Sequence, residues 1–152
     1  MFEELYLLHL GYGYKIAVGD TLKYTRTAPL EPFTESVTGH AMSYFDHIDR
    51  KANEATLNLT ASVDRDEAAM KIKDILKKYA DNMPEGTDAQ KQDKAALIRV
   101  IPEASYLGAD SIAYTFDLKT GFPSMVHMKH SLTFDVKIEK SNTTREIIIE
   151  QQ

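Results

Sequence analysis

The fold of this chain is decided by residues 125–140, which read Met-Val-His-Met-Lys-His-Ser-Leu-Thr-Phe-Asp-Val-Lys-Ile-Glu-Lys. Every second residue from position 126 to position 138 falls on one side, and that side carries Val126, Met128, His130, Leu132, Phe134, Val136 and Ile138. The residues between them are almost all polar. Alternation with a period of two residues is the pattern of a strand with one covered face and one wet face. The segment therefore predicts a long antiparallel strand.

The same alternation predicts six further strands, at residues 5–10, 21–27, 36–48, 55–64, 112–119 and 145–150. Turn-forming sequences at residues 50–53, 119–123 and 140–143 join neighbouring strands in the manner of hairpins. Hairpin connections between consecutive strands predict an antiparallel, up-and-down sheet.

The middle of the chain changes to a helical period. Asp64 and Glu67 form a capping box, and apolar residues at helical spacing follow them until Pro84. Thr87 and Gln90 form a second capping box, which opens a helix that Pro102 should end. Two consecutive helices are therefore predicted between the fourth and fifth strands.

These elements together predict an α+β fold for the 152 residues. We expect residues 1–152 to form a single domain in the order ββββ-αα-βββ. A single sheet of about seven twisted strands curls, so the expected architecture is a half-barrel packed around the two helices.

Composition excludes several classes of protein. The chain has no Cys, 18 Lys and Arg residues against 23 Asp and Glu residues, and a net charge of −5. It therefore lacks thiolate chemistry and disulfides, and it lacks the basic stripe of a nucleic-acid-binding protein. No segment approaches the length of a transmembrane helix. The first residues do not form a signal peptide, which leaves a cytoplasmic protein or a periplasmic or extracellular domain without its signal, and we favour the second.

Candidate catalytic and metal sites have simpler explanations. His127 and His130 lie three residues apart, which on a strand places their side chains on opposite faces, so they do not predict a metal site. Gly11 and Gly13 lack the third glycine and the helix of a dinucleotide-binding loop. No nucleophile with an adjacent base is evident. We expect no cofactor and no enzymatic activity, with a small acid–base enzyme as a lower-ranked alternative.

Aromatic and Met residues alternate on the strands and have two interpretations. They fill a solid core, or they coat a concave face that the helices cover only in part. In the second case Tyr44, Tyr114, Met128 and His130 are the candidate residues that line a pocket for a hydrophobic ligand.

Two phrases of the sequence resemble bacterial surface and periplasmic lipoprotein-like domains of unknown function. Residues 18–24 match their "GDT-x-x-Y" strand, and residues 114–123 match their "D-x-x-TG-x-P" hairpin. The order of elements is also similar to the half-barrels of LolA/LppX-like lipoprotein carriers. That resemblance implies a curved sheet whose concave face accepts lipid, and it implies no catalytic residue.

Two functions are expected on these grounds. The first is a non-enzymatic domain that binds a hydrophobic or lipid-like ligand on the concave face of the sheet. The alternative is a structural or interaction domain that pairs with a protein partner, or with itself, through an exposed strand edge at Ile147, Ile148 and Ile149.

Overall fold

The structure, a computed structural model, describes residues 18–137 and 140–150. Its elements follow one another as β1 (Thr21–Pro29), β2 (Ser36–Asp49), β3 (Glu54–Val63), α1 (Arg65–Asp81), α2 (Asp88–Val100), a 3-10 turn (Ile101–Glu103), β4 (Ser105–Asp117), β5 (Pro123–Asp135) and β6 (Lys140–Glu150). The six strands form one sheet in sequence order, and every neighbouring pair is antiparallel. The sheet is not closed.

The α+β class and the single antiparallel sheet are thus confirmed. The strand predicted at residues 5–10 lies outside the described residues, so the described part of the chain runs βββ-αα-βββ. Seven strands in the order ββββ-αα-βββ, and the half-barrel, stay predictions. No helix in the described ranges is both long and apolar enough to cross a membrane.

Strand register sorts the side chains onto two faces. Met128 lies opposite Ile112, and Ile112 lies opposite Leu59, so these three residues define what we call the apolar face. Lys129 lies opposite Ser111, and Ser111 lies opposite Thr60, on what we call the polar face. The alternation seen in residues 125–135 therefore separates the two faces across the whole sheet.

The end of β5 differs from the prediction. Residues 125–140 were expected to form one strand followed by a turn at 140–143, but β5 ends at Asp135 and β6 begins at Lys140. The Asp135 carboxylate accepts a hydrogen bond from the backbone N–H of Lys137 at 2.9 Å, and Lys137 has a φ of 63°. An aspartate that caps its own turn in this way reverses the chain without Gly or Pro. The predicted turn was wrong because the alternation continues through the true turn.

Both predicted helix starts are confirmed. The Asp64 side chain accepts from the backbone N–H of Glu67 at 2.9 Å. Thr87 and Gln90 form a reciprocal capping box in which each side chain accepts from the other residue's backbone N–H. These bonds satisfy N–H groups that the helices themselves leave without partners.

The two helices contribute unequally to the core, which corrects the expectation that the sheet wraps around a pair. Ala68 and Ile72 of α1 are fully buried against the apolar face. No residue of α2 is buried, and this helix packs mainly on α1 and the 3-10 turn. The buried apolar residue nearest to α2 is Ile101, which follows its last residue and is 4% exposed.

The apolar face carries two separate clusters of buried residues. The first lies beneath α1 and includes Leu30, Val37, Tyr106 and Leu132. The second lies farther along the strands and comprises Ala41, Leu57, Leu59, Ala61, Ile112, Tyr114, Val126 and Met128. Strand residues alone make up this second cluster in the described part of the chain.

Candidate functional site

The four predicted pocket residues do not come together. Tyr114, Met128 and His130 lie on the apolar face, whereas Tyr44 lies on the polar face, opposite Asn58. Tyr114 is 2% exposed and Met128 is 5% exposed, and both belong to the second core cluster. Tyr44 was predicted to line the same pocket as the other three residues, and that prediction was wrong. On β2 small residues such as Ser43 face the core, so Tyr44 faces the opposite side of the sheet.

A groove of about 690 Å³ crosses the polar face of β1 to β5. We call it the polar-face groove. Its lining comprises Lys23, Tyr24, Thr25, His40, Ala41, Met42, Thr60, Ala61, Ser62, Ala109, Asp110, Ser111, Lys129 and Ser131. Its volume lies within the range of about 300–1,000 Å³ that is typical of small-molecule sites.

Two rows of residues, each running across the strands, form most of this lining. Strand register aligns the first row as Lys23, Met42, Thr60, Ser111 and Lys129. It aligns the second row as Thr25, His40, Ser62, Ala109 and Ser131. On β3 and β4 both rows consist of small or hydroxyl-bearing side chains, whereas β2 contributes Met42 and His40. The floor on β3 and β4 is therefore shallow and offers hydrogen-bond donors and acceptors.

A smaller cavity of about 230 Å³ adjoins the groove on the same face. The two cavities share Thr60, Ser111 and Lys129 in their linings. Tyr44 and His127 line only the smaller one. Tyr44 thus lies beside the polar-face groove. It was predicted to line a pocket on the apolar face instead.

The charged side chains of the groove are mainly basic. Lys23 and Lys129 stand at opposite ends of the first row, and neither forms an ion pair within the described residues. His40 Nε2 lies 3.3 Å from the carboxylate of Asp64. The carboxylate of Asp110 lies on the apolar face, where it pairs with Arg26 and His130.

The ion pair of Asp110 crosses the sheet. Its Oδ2 accepts from Nη2 of Arg26 at 2.9 Å, and its Oδ1 accepts from Nδ1 of His130 at 2.6 Å. Asp110 on β4 lies opposite Ala61 on β3, whereas Arg26 is on β1. Strands β2 and β3 therefore lie between the two residues, which are also offset from each other along the strand direction. In a flat sheet the two Cα atoms would be roughly 16 Å apart. This distance exceeds the reach of the two side chains, so the sheet bends toward its apolar face along this diagonal.

A twisted sheet that is concave on one face along one diagonal is concave on the other face along the crossing diagonal. The polar-face groove lies across the same strands, on the opposite side of the sheet.

The shifted pKa values of the described carboxyl groups all move downward. The Asp64 pKa is lowered first by the Glu67 backbone N–H and then by His40, and the Glu67 pKa is lowered by the backbone N–H of Thr38 and by Lys71. Backbone N–H groups likewise lower the pKa of Asp49 and of Asp117. Such shifts stabilise the carboxylate form and so suit structural caps and turns rather than a general acid.

Tyr106 carries the one large upward shift among the described residues. Burial, followed by the nearby Glu31 carboxylate, raises the pKa of the Tyr106 phenol to about 12. Tyr106 belongs to the first core cluster, beneath α1, and does not line the groove. Within residues 18–137 and 140–150, no three His, Asp or Glu side chains are grouped as a metal site requires.

The sequence does not predict the groove, because the groove residues carry no motif. The signal available was the run of small hydroxyl-bearing residues on the wet side of several strands, which is also the ordinary composition of a solvated sheet face. Comparisons of the chain with family models, with curated proteins and with solved structures find no match. The resemblance to lipoprotein carriers accordingly stays a prediction.

Proposed function

We propose that this protein is a non-enzymatic binding domain, and that its ligand is an elongated molecule lying across the strands in the polar-face groove. The observation that supports this proposal is the groove itself, which spans five strands on the face that the core does not use. Ligand sites are concave, largely preformed, and few in a protein of this size.

The sheet makes the groove a preorganised site. Its floor is built on β2, β3 and β4, which have strand neighbours on both sides and so cannot move independently. Sites supported by paired strands hold their geometry better than sites on loops. A ligand would therefore meet the hydroxyl groups of Thr60 and Ser111 in positions that are already fixed.

Binding of a hydrophobic or lipid-like ligand on the apolar face is the other form of this proposal. It is less favoured because Tyr114 and Met128 pack inside the second core cluster. A ligand that contacted them would have to displace core side chains, and opening a packed core costs several kcal/mol. Entry into the polar-face groove has no such cost.

Amide chemical shifts test which face binds. The protein, labelled with nitrogen-15, would be titrated separately with an acidic oligosaccharide, a neutral oligosaccharide and a long-chain fatty acid. We expect at least one probe to shift the amides of Thr60, Ser111 and Ser131. Shifts confined to Tyr114, Met128 and His130 would place the site on the apolar face instead. No saturable shift with any probe would contradict the proposal of a binding domain.

Association through β6 is the second candidate function, and the exposure of its isoleucines favours it. Ile148 is 59% exposed and Ile149 is 49% exposed, and β6 is an edge of the described sheet. Register places Ile148 on the polar face and Ile147 and Ile149 on the apolar face. An exposed apolar edge strand can pair with another strand.

Sedimentation velocity of the Ile148→Lys variant and of the unaltered protein tests this second function. Association through β6 predicts a concentration-dependent dimer or larger species that the substitution abolishes. A monomer in both cases at all concentrations would contradict it.

A further inference from the structure

We propose that the ligand of the polar-face groove is an acidic oligosaccharide, whose carboxylate groups bind Lys23 and Lys129 while its hydroxyl groups bind the small residues between them. This inference rests on the proposed binding function and adds the chemical class of the ligand.

Charge is the first argument for an acidic ligand. The chain as a whole has a net charge of −5, yet the charged side chains that point into the groove include two lysines without an ion pair in the described part of the chain. Both ammonium groups can donate to a carboxylate. Two carboxylates lie near the groove and contact histidines rather than these lysines, Asp64 at His40 and Glu146 at His127. Glu146 also lies opposite Lys129 on the neighbouring strand.

The spacing of the lysines is the second argument, and it favours a chain over a compact ion. Lys23 and Lys129 belong to one row but stand on β1 and β5, four strand intervals apart. That separation is roughly 19 Å along the sheet. A single small anion cannot reach both lysines, whereas an extended chain with repeated acidic groups can contact both at once.

The floor of the groove is the third argument, and it favours a sugar chain over an acidic peptide. Between the lysines lie the thioether of Met42 and the hydroxyl groups of Thr60 and Ser111. The next row adds the hydroxyl groups of Thr25, Ser62 and Ser131. A hydroxyl group both donates and accepts, which matches the hydroxyl groups of a sugar. One sugar unit of an extended chain is close in length to the spacing between strands, so successive units can meet successive strands.

An aromatic side chain at the edge of the groove completes the match. Tyr44 lines the adjoining cavity together with Asn58 and His127. A tyrosine ring offers an apolar face with a polar tip, which suits the C–H face of a sugar ring that also carries hydroxyl groups.

The test compares two ligands that differ only in charge. Isothermal titration calorimetry would measure binding of a short oligogalacturonate, long enough to cross five strands, and of its fully methyl-esterified form. We expect the acidic form to bind at least tenfold more tightly. The variants Lys23→Gln and Lys129→Gln should each weaken its binding roughly fivefold. Lys51→Gln, a matched change in the β2–β3 turn, should leave the dissociation constant unchanged.

The outcomes separate the inference from the proposed function. Equal binding of the two forms would overturn the acidic ligand but leave the groove as a sugar-binding site. Polyglutamate, titrated in the same calorimeter, is a third ligand, and binding equal to or tighter than that of the oligogalacturonate would overturn the oligosaccharide and leave an acidic ligand of another class. Binding of neither sugar form would overturn the inference, and the proposed function would then fall only if the amide titrations with all three probes also showed no saturable shift.

Discussion

The guanidinium of Arg26 on β1 reaches over two intervening strands to donate a hydrogen bond to the carboxylate of Asp110 on β4, at 2.9 Å. The residues that it crosses are small, since Gly39 lies opposite Arg26 and Ala61 lies opposite Asp110. His130 holds the second oxygen of the same carboxylate. This cluster lies on the apolar face between the two core clusters, and it ties β1, β4 and β5 together across the sheet.

The Asp110→Asn substitution should destabilise the fold by about 2–4 kcal/mol, because it leaves the largely buried Arg26 guanidinium without a counter-charge. The two side chains are only 15% and 13% exposed. Urea unfolding followed by circular dichroism would measure the change. Asp74→Asn, at an exposed ion pair on α1, is the control and should change stability by less than about 0.5 kcal/mol. Equal effects of the two substitutions would contradict a structural role for the Arg26 pair.

The Gly39→Ala substitution should cost about 1–3 kcal/mol, because the site has no room for a methyl group. A Cβ atom at position 39 would lie 3.1 Å from the Cβ of Ala28 and 3.2 Å from the Cγ of Arg26. Ala28 is buried and fixed to its strand, so it cannot move aside. Thermal unfolding would measure the loss. Gly86→Ala, whose Cβ atom would meet only Oε1 of Gln90 at 3.4 Å, should be close to neutral, and a similar loss there would argue against crowding as the cause.

Stability should fall as the pH rises from about 10 to about 12, because of Tyr106. The folded state holds the pKa of this phenol at about 12, against an ordinary value of 10.0. Between these values the unfolded chain releases the Tyr106 proton and the folded chain keeps it. The stability that Tyr106 contributes is therefore complete below the pKa of the unfolded chain and is lost as the pH rises from that value to the pKa of the folded chain. Urea unfolding between pH 9 and pH 12 would show this slope. Tyr106→Phe should reduce the slope, and an unchanged slope would contradict the assignment.

Helix α2 should open more readily than the sheet. None of its residues is buried, so little apolar surface opposes its local unfolding. Hydrogen exchange should show α2 amides with lower protection than those of β3 and β4. The Thr87→Ala substitution, which removes the cap, should lower α2 protection by about 1 kcal/mol without changing protection in β3. A loss of protection spread evenly over the protein would show that α2 unfolds only with the rest.

The sequence predicted the faces of β3 and β5 well because alternation reports directly on burial, but it did not predict the face of β2. It predicted the helix starts because Asp64 and Thr87 cap their helices through local bonds. It predicted β4 as starting at residue 112, although the strand begins at Ser105. Asp110 breaks the alternation in this part of β4, because it is an acidic residue on the apolar face. The sequence does not reveal its partner, since Arg26 lies 84 residues away in the chain.

The candidate site was less predictable than the fold. Alternation alone cannot decide which side of β2 faces the core, because Met42 and Tyr44 are the larger residues and yet lie on the polar face. Nor can it show that a polar face is concave, since concavity depends on how strands distant in the sequence are arranged. The polar-face groove follows from the geometry of the sheet and not from any local pattern.

Binding to a groove-filling variant is the most direct test of the central claim, that the ligand lies in the polar-face groove. Ala109 lines the groove, whereas Leu107 lies on the same face of the same strand outside it. Ala109→Trp and Leu107→Trp each introduce the same large side chain, the first inside the groove and the second outside it. For both variants, with folding verified by circular dichroism, the dissociation constant of oligogalacturonate would be measured by calorimetry. The account predicts at least a tenfold loss of affinity for Ala109→Trp and affinity close to that of the unaltered protein for Leu107→Trp. Equal affinity of the two variants would contradict it.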